Sequence, residues 1–276
     1  MILLLVFSSW NLVSTDTLQT AIVSPNLEHR AQVNYGDAMY QVSLESPGTS
    51  WTVKVPFTGP GTDFLLTDDG RLVAFRTGGF AVYSGGEVSW SLETSNYEIP
   101  FAVGDYIFVQ SSDGVTMYHG GKKPLGFYQV LSPIGYGEKG LAGVWEGKLR
   151  IYGQTDQHEA TLTHEYPRYI AVTNNGVAVA FPDRVVFYSL KAEDLWEKEL
   201  PVSISALSWS GGELWVAGTE HGKKLAHLWA LDEQGAELTE LTYEMESEPP
   251  FVSAIHSDGH TLRVFVSRVL YTYELE

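Results

Sequence analysis

The 276-residue sequence contains no cysteine. That excludes disulfides, thiolate-held zinc and cysteine nucleophiles together, and removes the usual sign of an oxidising compartment. Cations are scarce: 17 Lys and Arg stand against 34 Asp and Glu, a net charge of −17. A field of that sign opposes sequence-independent attraction to DNA, RNA or an anionic membrane surface. Long apolar runs are missing too. The N-terminal "MILLLVF", residues 1–7, is far shorter than the roughly 20 residues a bilayer-spanning helix needs. It has no basic region before it and no A-x-A-like cleavage site after it. It therefore reads as a buried β-strand, and the protein as cytoplasmic. No segment carries a long amphipathic helical pattern.

What is present is aromatic and repetitive. Hydrophobic residues make up 44% of the chain, aromatics 13% and charged residues 18%, a balance that argues for a packed core and against disorder. An apolar run ending in an aromatic recurs at Tyr40, Tyr83, Tyr118, Tyr152, Tyr188, Trp229 and Tyr271, with spacings of 43, 35, 34, 36, 41 and 42. A second series marks tight turns at Gly70, Gly104, Gly140, Gly176, Gly212 and Gly259, spaced by 34, 36, 36, 36 and 47. Asn-Gly, Asp-Gly and Gly-Gly between alternating apolar residues are hairpin signals, because type I′ turns need positive φ at both central residues. Two independent markers with one period define a repeat.

Each period resolves into four short strands, such as "FLLTD", "RLVAFR", "FAVYS" and "VSWSLE". The fold class expected is all-β: a seven-bladed β-propeller with four antiparallel strands per blade. The blades are placed at about 14–56, 63–93, 100–130, 136–166, 169–200, 204–243 and 251–276 plus 1–13, in one propeller domain over 1–276. The last unit has only three strands before the chain stops, which would leave an open sheet edge. An N-terminal strand is expected to close it, from either residues 2–8 or "SWNLV" at 9–13.

"YSGGEVSW", with Trp51, Trp90 and Trp196 in equivalent places, resembles the quinoprotein-like (PQQ-type) repeats of the wider WD40-like β-propeller superfamily. The resemblance spans the chain and implies the fold. Quinoprotein enzymes of this type bind pyrroloquinoline quinone with calcium, but they are longer, have eight blades and commonly carry a vicinal disulfide. This chain has seven shorter units and no Cys, so no cofactor is expected. The chain also lacks the Trp-Asp dipeptide of WD40 repeats. The recurrent Tyr and Trp are read as filling the space between blades rather than as ligand platforms.

Catalytic and metal-binding motifs are sparse. His256 and His260 flank a turn with Asp258 as the one nearby addition, short of the three or four ligands a metal site needs. "EHGKK" at 220–224 and "HGGKKP" at 119–124 read as solvated loops; the first has the chemistry to meet an acidic partner. No G-x-S-x-G elbow and no H-E-x-x-H occurs, and Asp68-Asp69 lies in a turn, where carboxylates cap backbone amides.

The connections between blades, "PFTGPGT", "TSNYEIP", "LSPIGYG", "YPRY", "LPVSIS" and "MESEPPF", all contain Pro. In propellers these loops and the second-to-third-strand turns share one rim. On it the sequence places Phe57, Tyr97, Tyr136, Tyr166, Arg168, Tyr169 and Phe251. Tyr and Arg are enriched at protein–protein hot spots, so these residues are the candidate partner-binding set; the competing reading tucks the aromatics inward as caps on the core. The function expected is a non-catalytic protein-binding scaffold or complex subunit, with a protein partner and neither nucleic acid nor membrane. The alternatives are a hydrolase or lyase with its site at the central channel mouth, and a small-ligand or sugar-binding propeller.

Overall fold

The computed structural model describes residues 10–17, 21–36, 39–56, 62–76, 78–95, 98–245 and 248–275. Among the described residues there are twenty-eight strands and no helix. The chain divides into two compact units, Leu18–Gln129 and Met1–Thr17 with Val130–Glu276.

The unit Leu18–Gln129 holds three four-stranded antiparallel sheets, each with its strands in chain order. Blade 1 is β2 (Ala21–Val23), β3 (Arg30–Gly36), β4 (Met39–Ser46) and β5 (Thr49–Pro56). Blade 2 is β6 (Asp63–Leu66), β7 (Leu72–Arg76), β8 (Gly79–Ser84) and β9 (Glu87–Glu93), and blade 3 is β10 (Ile99–Val103), β11 (Tyr106–Gln110), β12 (Val115–Tyr118) and β13 (Gly126–Tyr128). Alternate side chains of each sheet face the next one. Val42, Leu44 and Val55 of blade 1 meet Leu66, Leu72 and Tyr83 of blade 2; Val82 and Trp90 then meet Ile107, Val109 and Tyr118 of blade 3.

The other unit holds four such sheets. Blade 4 is β14 (Leu131–Gly137), β15 (Gly140–Trp145), β16 (Lys148–Tyr152) and β17 (Gln157–Thr161). Blade 5 is β18 (Tyr169–Val172), β19 (Gly176–Ala180), β20 (Arg184–Ser189) and β21 (Asp194–Glu199). Blade 6 is β22 (Val202–Ser210), β23 (Glu213–Glu220), β24 (Leu225–Leu231) and β25 (Glu237–Glu244). Blade 7 takes β26 (Val252–Ser257), β27 (Thr261–Val266) and β28 (Val269–Leu275), and its outermost strand is β1 (Trp10–Thr17). The expected architecture is the observed one: an all-β chain with the seven four-stranded blades of a β-propeller.

β1 answers the closure question. It runs antiparallel to β28 from Trp10 opposite Leu275 to Thr17 opposite Val269, so the expected "SWNLV" stretch takes part and the pairing extends beyond it to Thr17. Residues 14–17, assigned from sequence to the first blade, belong to the last. Residues 1–9 lie outside the described residues.

The recurrent aromatics lie mainly between blades. Tyr83, Tyr118, Tyr188, Trp229 and Tyr271 are each at most 8% exposed, and each sits in a cluster joining its blade to a neighbour. Tyr40 is half-buried and meets Phe64 of blade 2 edge-on at 5.3 Å. The turn glycines hold the inner hairpins: Gly140 has φ +137, and a Cβ there would collide with the Tyr152 carbonyl.

Candidate functional site: the loop rim of blades 5 to 7

The structure separates the seven candidate rim residues. Phe57 and Tyr97 lie outside the described residues. Tyr136 is not in a blade connection at all: residues 131–137 form the inner strand β14, where Tyr136 stands opposite Leu141 and is half-buried. The sequence "LSPIGYG" reads as a loop because of its Pro and two Gly. A bulge between Leu131 and Ile134 accommodates Pro133, which has no N–H to give to the ladder. Tyr169 is the first residue of β18, half-buried against the core shared by blades 5 and 6, and burial pushes its hydroxyl pKa upward. It is a core cap.

Tyr166, Arg168 and Phe251 remain, and a path of contacts links their loops. The blade 4–5 connection brings Tyr166 out at φ +62 and 76% exposed, the most exposed of the large hydrophobic residues described. Two residues on, the Arg168 backbone N–H donates to the Ala180 carbonyl at 2.8 Å, fixing the loop to the end of β19. Its guanidinium Nη1 donates to Ser203 Oγ at 3.0 Å and to the Ile204 carbonyl at 3.1 Å, both in β22. Ser203 pairs with Thr219 in β23, and Thr219 Oγ1 donates to the Pro250 carbonyl at 2.5 Å. Phe251, next in the chain, is 53% exposed. It is held on both sides by the β27–β28 turn, donating its N–H to Ser267 Oγ at 2.9 Å and accepting the Ser267 N–H at 3.0 Å.

A cavity of about 360 Å³ opens in the middle of this path, between Ser203 and Thr219, the His221–Lys224 turn of blade 6, and Pro249. Glu220 at its edge forms an ion pair with Lys223 and lies 2.8 Å from His227 Nε2. These partners, Lys223 first, hold the Glu220 carboxyl below the usual carboxylate range. The His227 Nδ1 lies 2.6 Å from Glu240, and the ring stacks on Trp229 at 5.1 Å. Among the described residues no three His, Asp or Glu side chains are arranged to hold a metal ion.

Two residues on this rim escaped the sequence reading. The β27–β28 turn consists of Ser267 (φ +44) and Arg268 (φ +75), and Arg268 is exposed. In "VSRVLY" the Ser-Arg pair occupies a two-residue turn with no glycine to mark it. In blade 4 the corresponding turn, between β15 and β16, is Glu146-Gly147 with φ +49 and +75.

At the inner turns of blades 1 to 3 the polar groups are structural. Asp68 Oδ1 accepts the Asn26 N–H at 2.6 Å, and the Asp68 carbonyl lies 2.8 Å from His29 Nε2, joining blades 1 and 2. Arg71 pairs with Asp69 at 2.8 Å and donates to the Asp105 carbonyl at 2.5 Å, joining blades 2 and 3. Asp258 Oδ1 accepts the N–H groups of His260 and Thr261, so this carboxylate closes its turn.

No family profile and no curated protein matches the chain. Solved structures do. One is BBS1N in complex with ARL6DN, at TM-score 0.65 and 15% identity, covering 98% of this chain and 97% of that one. A chain of the mitotic checkpoint complex matches at TM-score 0.65 and 12% identity, covering 97% and 95%. A catalytically inactive virginiamycin B lyase from Staphylococcus aureus, crystallised with quinupristin, matches at TM-score 0.63 and 14% identity over 100% of both chains. The chain is thus similar in fold to both WD40-like and PQQ-like propellers.

Proposed function

We propose that this chain is a protein-binding propeller that docks a partner on the loop rim of blades 5 to 7. The observation that carries the reading is the pairing of exposed aromatics with an anchored frame. Tyr166 and Phe251 present large apolar surface to solvent, while the loops bearing them are hydrogen-bonded into β19, β22 and the β27–β28 turn. Exposed aromatic and Arg side chains on a preorganised surface bind with little ordering cost, which is what a hot spot requires. Two of the structures similar in fold are parts of protein complexes, BBS1N with ARL6DN and the mitotic checkpoint complex, and this supports the same reading.

Affinity purification of the tagged chain from its native host, read by quantitative mass spectrometry, tests this. A partner recovered with the wild-type chain should be depleted with Tyr166→Ala/Phe251→Ala, while the melting temperature stays unchanged. Equal recovery with both would place the docking surface elsewhere.

A further inference from the structure

Most arginines with a described setting on this acidic chain have a carboxylate partner: Arg30 pairs with Glu45, Arg71 with Asp69, Arg150 with Glu159, and Arg184 with Asp183, Glu197 and Glu199. Arg168 and Arg268 have none among the described residues. Both are exposed, and both lie on the rim beside an exposed aromatic. Arg168 is two residues from Tyr166, and Arg268 follows Ser267, which holds the Phe251 backbone from both sides. On the same path opens the cavity edged by His221, Lys223 and Lys224, whose lining includes Ser203, which Arg168 contacts, and Pro249, two residues before Phe251. On a chain of net charge −17, three blades thus bring guanidinium, ammonium and imidazole groups to one arc, where Lys223 is already paired with Glu220 and the two arginines are cations without a carboxylate partner among the described residues.

Arg268 also occupies a costly place. Its turn needs positive φ at both residues, the conformation that Gly147 supplies in blade 4. A long side chain held there at the expense of an easy glycine marks a position kept for what the side chain does, since backbone strain concentrates at functional sites.

We infer that the rim takes an acidic segment of a partner protein, with carboxylates opposite Arg168 and Arg268 and an apolar side chain between them. This rests on the docking reading above and names the chemistry of the occupant. An arginine offers paired N–H donors that match a carboxylate, and the neighbouring aromatic face receives an aliphatic or aromatic side chain. Glu165 and Glu248 are also exposed in the connections that carry Tyr166 and Phe251. They disfavour a uniformly negative stretch, so the matching segment alternates acidic and apolar residues.

Random twelve-residue peptides displayed on phage, selected against the full chain and then measured by fluorescence anisotropy, test the inference. The enriched peptides should carry net negative charge with apolar residues interspersed. Their affinity should fall tenfold or more with Arg168→Glu or Arg268→Glu, fall also with Arg268→Gly, and weaken as salt is raised. Arg268→Gly retains the turn and guards against a folding artefact. Enriched peptides without acidic residues, weakened by Tyr166→Ala but indifferent to the Arg268 changes, would overturn the acidic inference and leave the docking reading standing. A selection that yields no binder, or only binders indifferent to every one of these changes, would overturn both.

Discussion

Trp10 of β1 meets Trp215 of β23 edge-on, with ring centroids 6.2 Å apart and planes at 70°. The outermost strand of blade 7 thereby reaches the core it shares with blade 6, and Trp10 is only 4% exposed. Trp10→Ala removes the ring and leaves a cavity beside Trp215 in the core shared by blades 6 and 7, a change that costs about 3–5 kcal/mol for a buried aromatic. Urea unfolding followed by tryptophan fluorescence measures it. A loss below about 1 kcal/mol would mean that β1 is held by its ladder alone.

Asp68 makes stability depend on pH. Burial, chiefly, with the nearby Asp105, Asp69 and Glu28 charges, raises its pKa from 3.8 to about 6, against the lowering effect of the Asn26 N–H. A carboxyl raised in the folded state favours folding while protonated. Its contribution is complete below pH 3.8 and is lost as pH rises through about 6. Asp68→Asn keeps the acceptor for Asn26 and removes the charge. It should therefore stabilise the chain by about 1–2 kcal/mol at pH 8 and by close to nothing at pH 4, discounting for partial exposure. Denaturation midpoints of both proteins at the two pH values decide it; an equal difference at each would remove Asp68 ionisation from the explanation.

The blades were legible because propeller sheets repeat two local signals, a turn glycine and an inter-blade aromatic, each with its own physical reason. The rim was legible only in part. Tyr166 and Phe251 could be placed because Pro-containing connections must run over the surface. Tyr136 could not, since a bulge lets Pro133 sit inside a strand that composition alone reads as loop. Arg268 was hidden for the opposite reason: a turn without glycine carries no turn signal, and only the structure shows Ser267 and Arg268 both left-handed.

The same turn yields a prediction of opposite signs. Arg268→Gly relieves a left-handed non-glycine residue and should raise stability by about 0.5–1 kcal/mol even after the greater freedom glycine gives the unfolded chain. Thermal unfolding measures this. A destabilised variant would show that the Arg268 side chain supports the fold, and the case for its retention as a binding group would fail.

Tyr169 and Tyr166 should behave differently although three residues apart. Tyr169→Ala empties a place against the core of blades 5 and 6 and should cost about 1–3 kcal/mol. Tyr166→Ala, at an exposed site, should change stability by no more than about 0.5 kcal/mol. Parallel chemical unfolding of the two variants checks the pair, and similar losses would mean that Tyr166 also caps the core.

The most direct test of the docking rim is a hydrogen-exchange footprint of the chain with and without its co-purified partner. Protection should concentrate in residues 164–168, 201–203, 219–224, 248–251 and 267–268, which are far apart in sequence and joined by the hydrogen bonds from Arg168 to Ser203 and from Thr219 to Pro250. Protection confined instead to the inner turns around Asp68, Gly104 and Asp258, with the rim exchanging as freely as in the unbound chain, would contradict it.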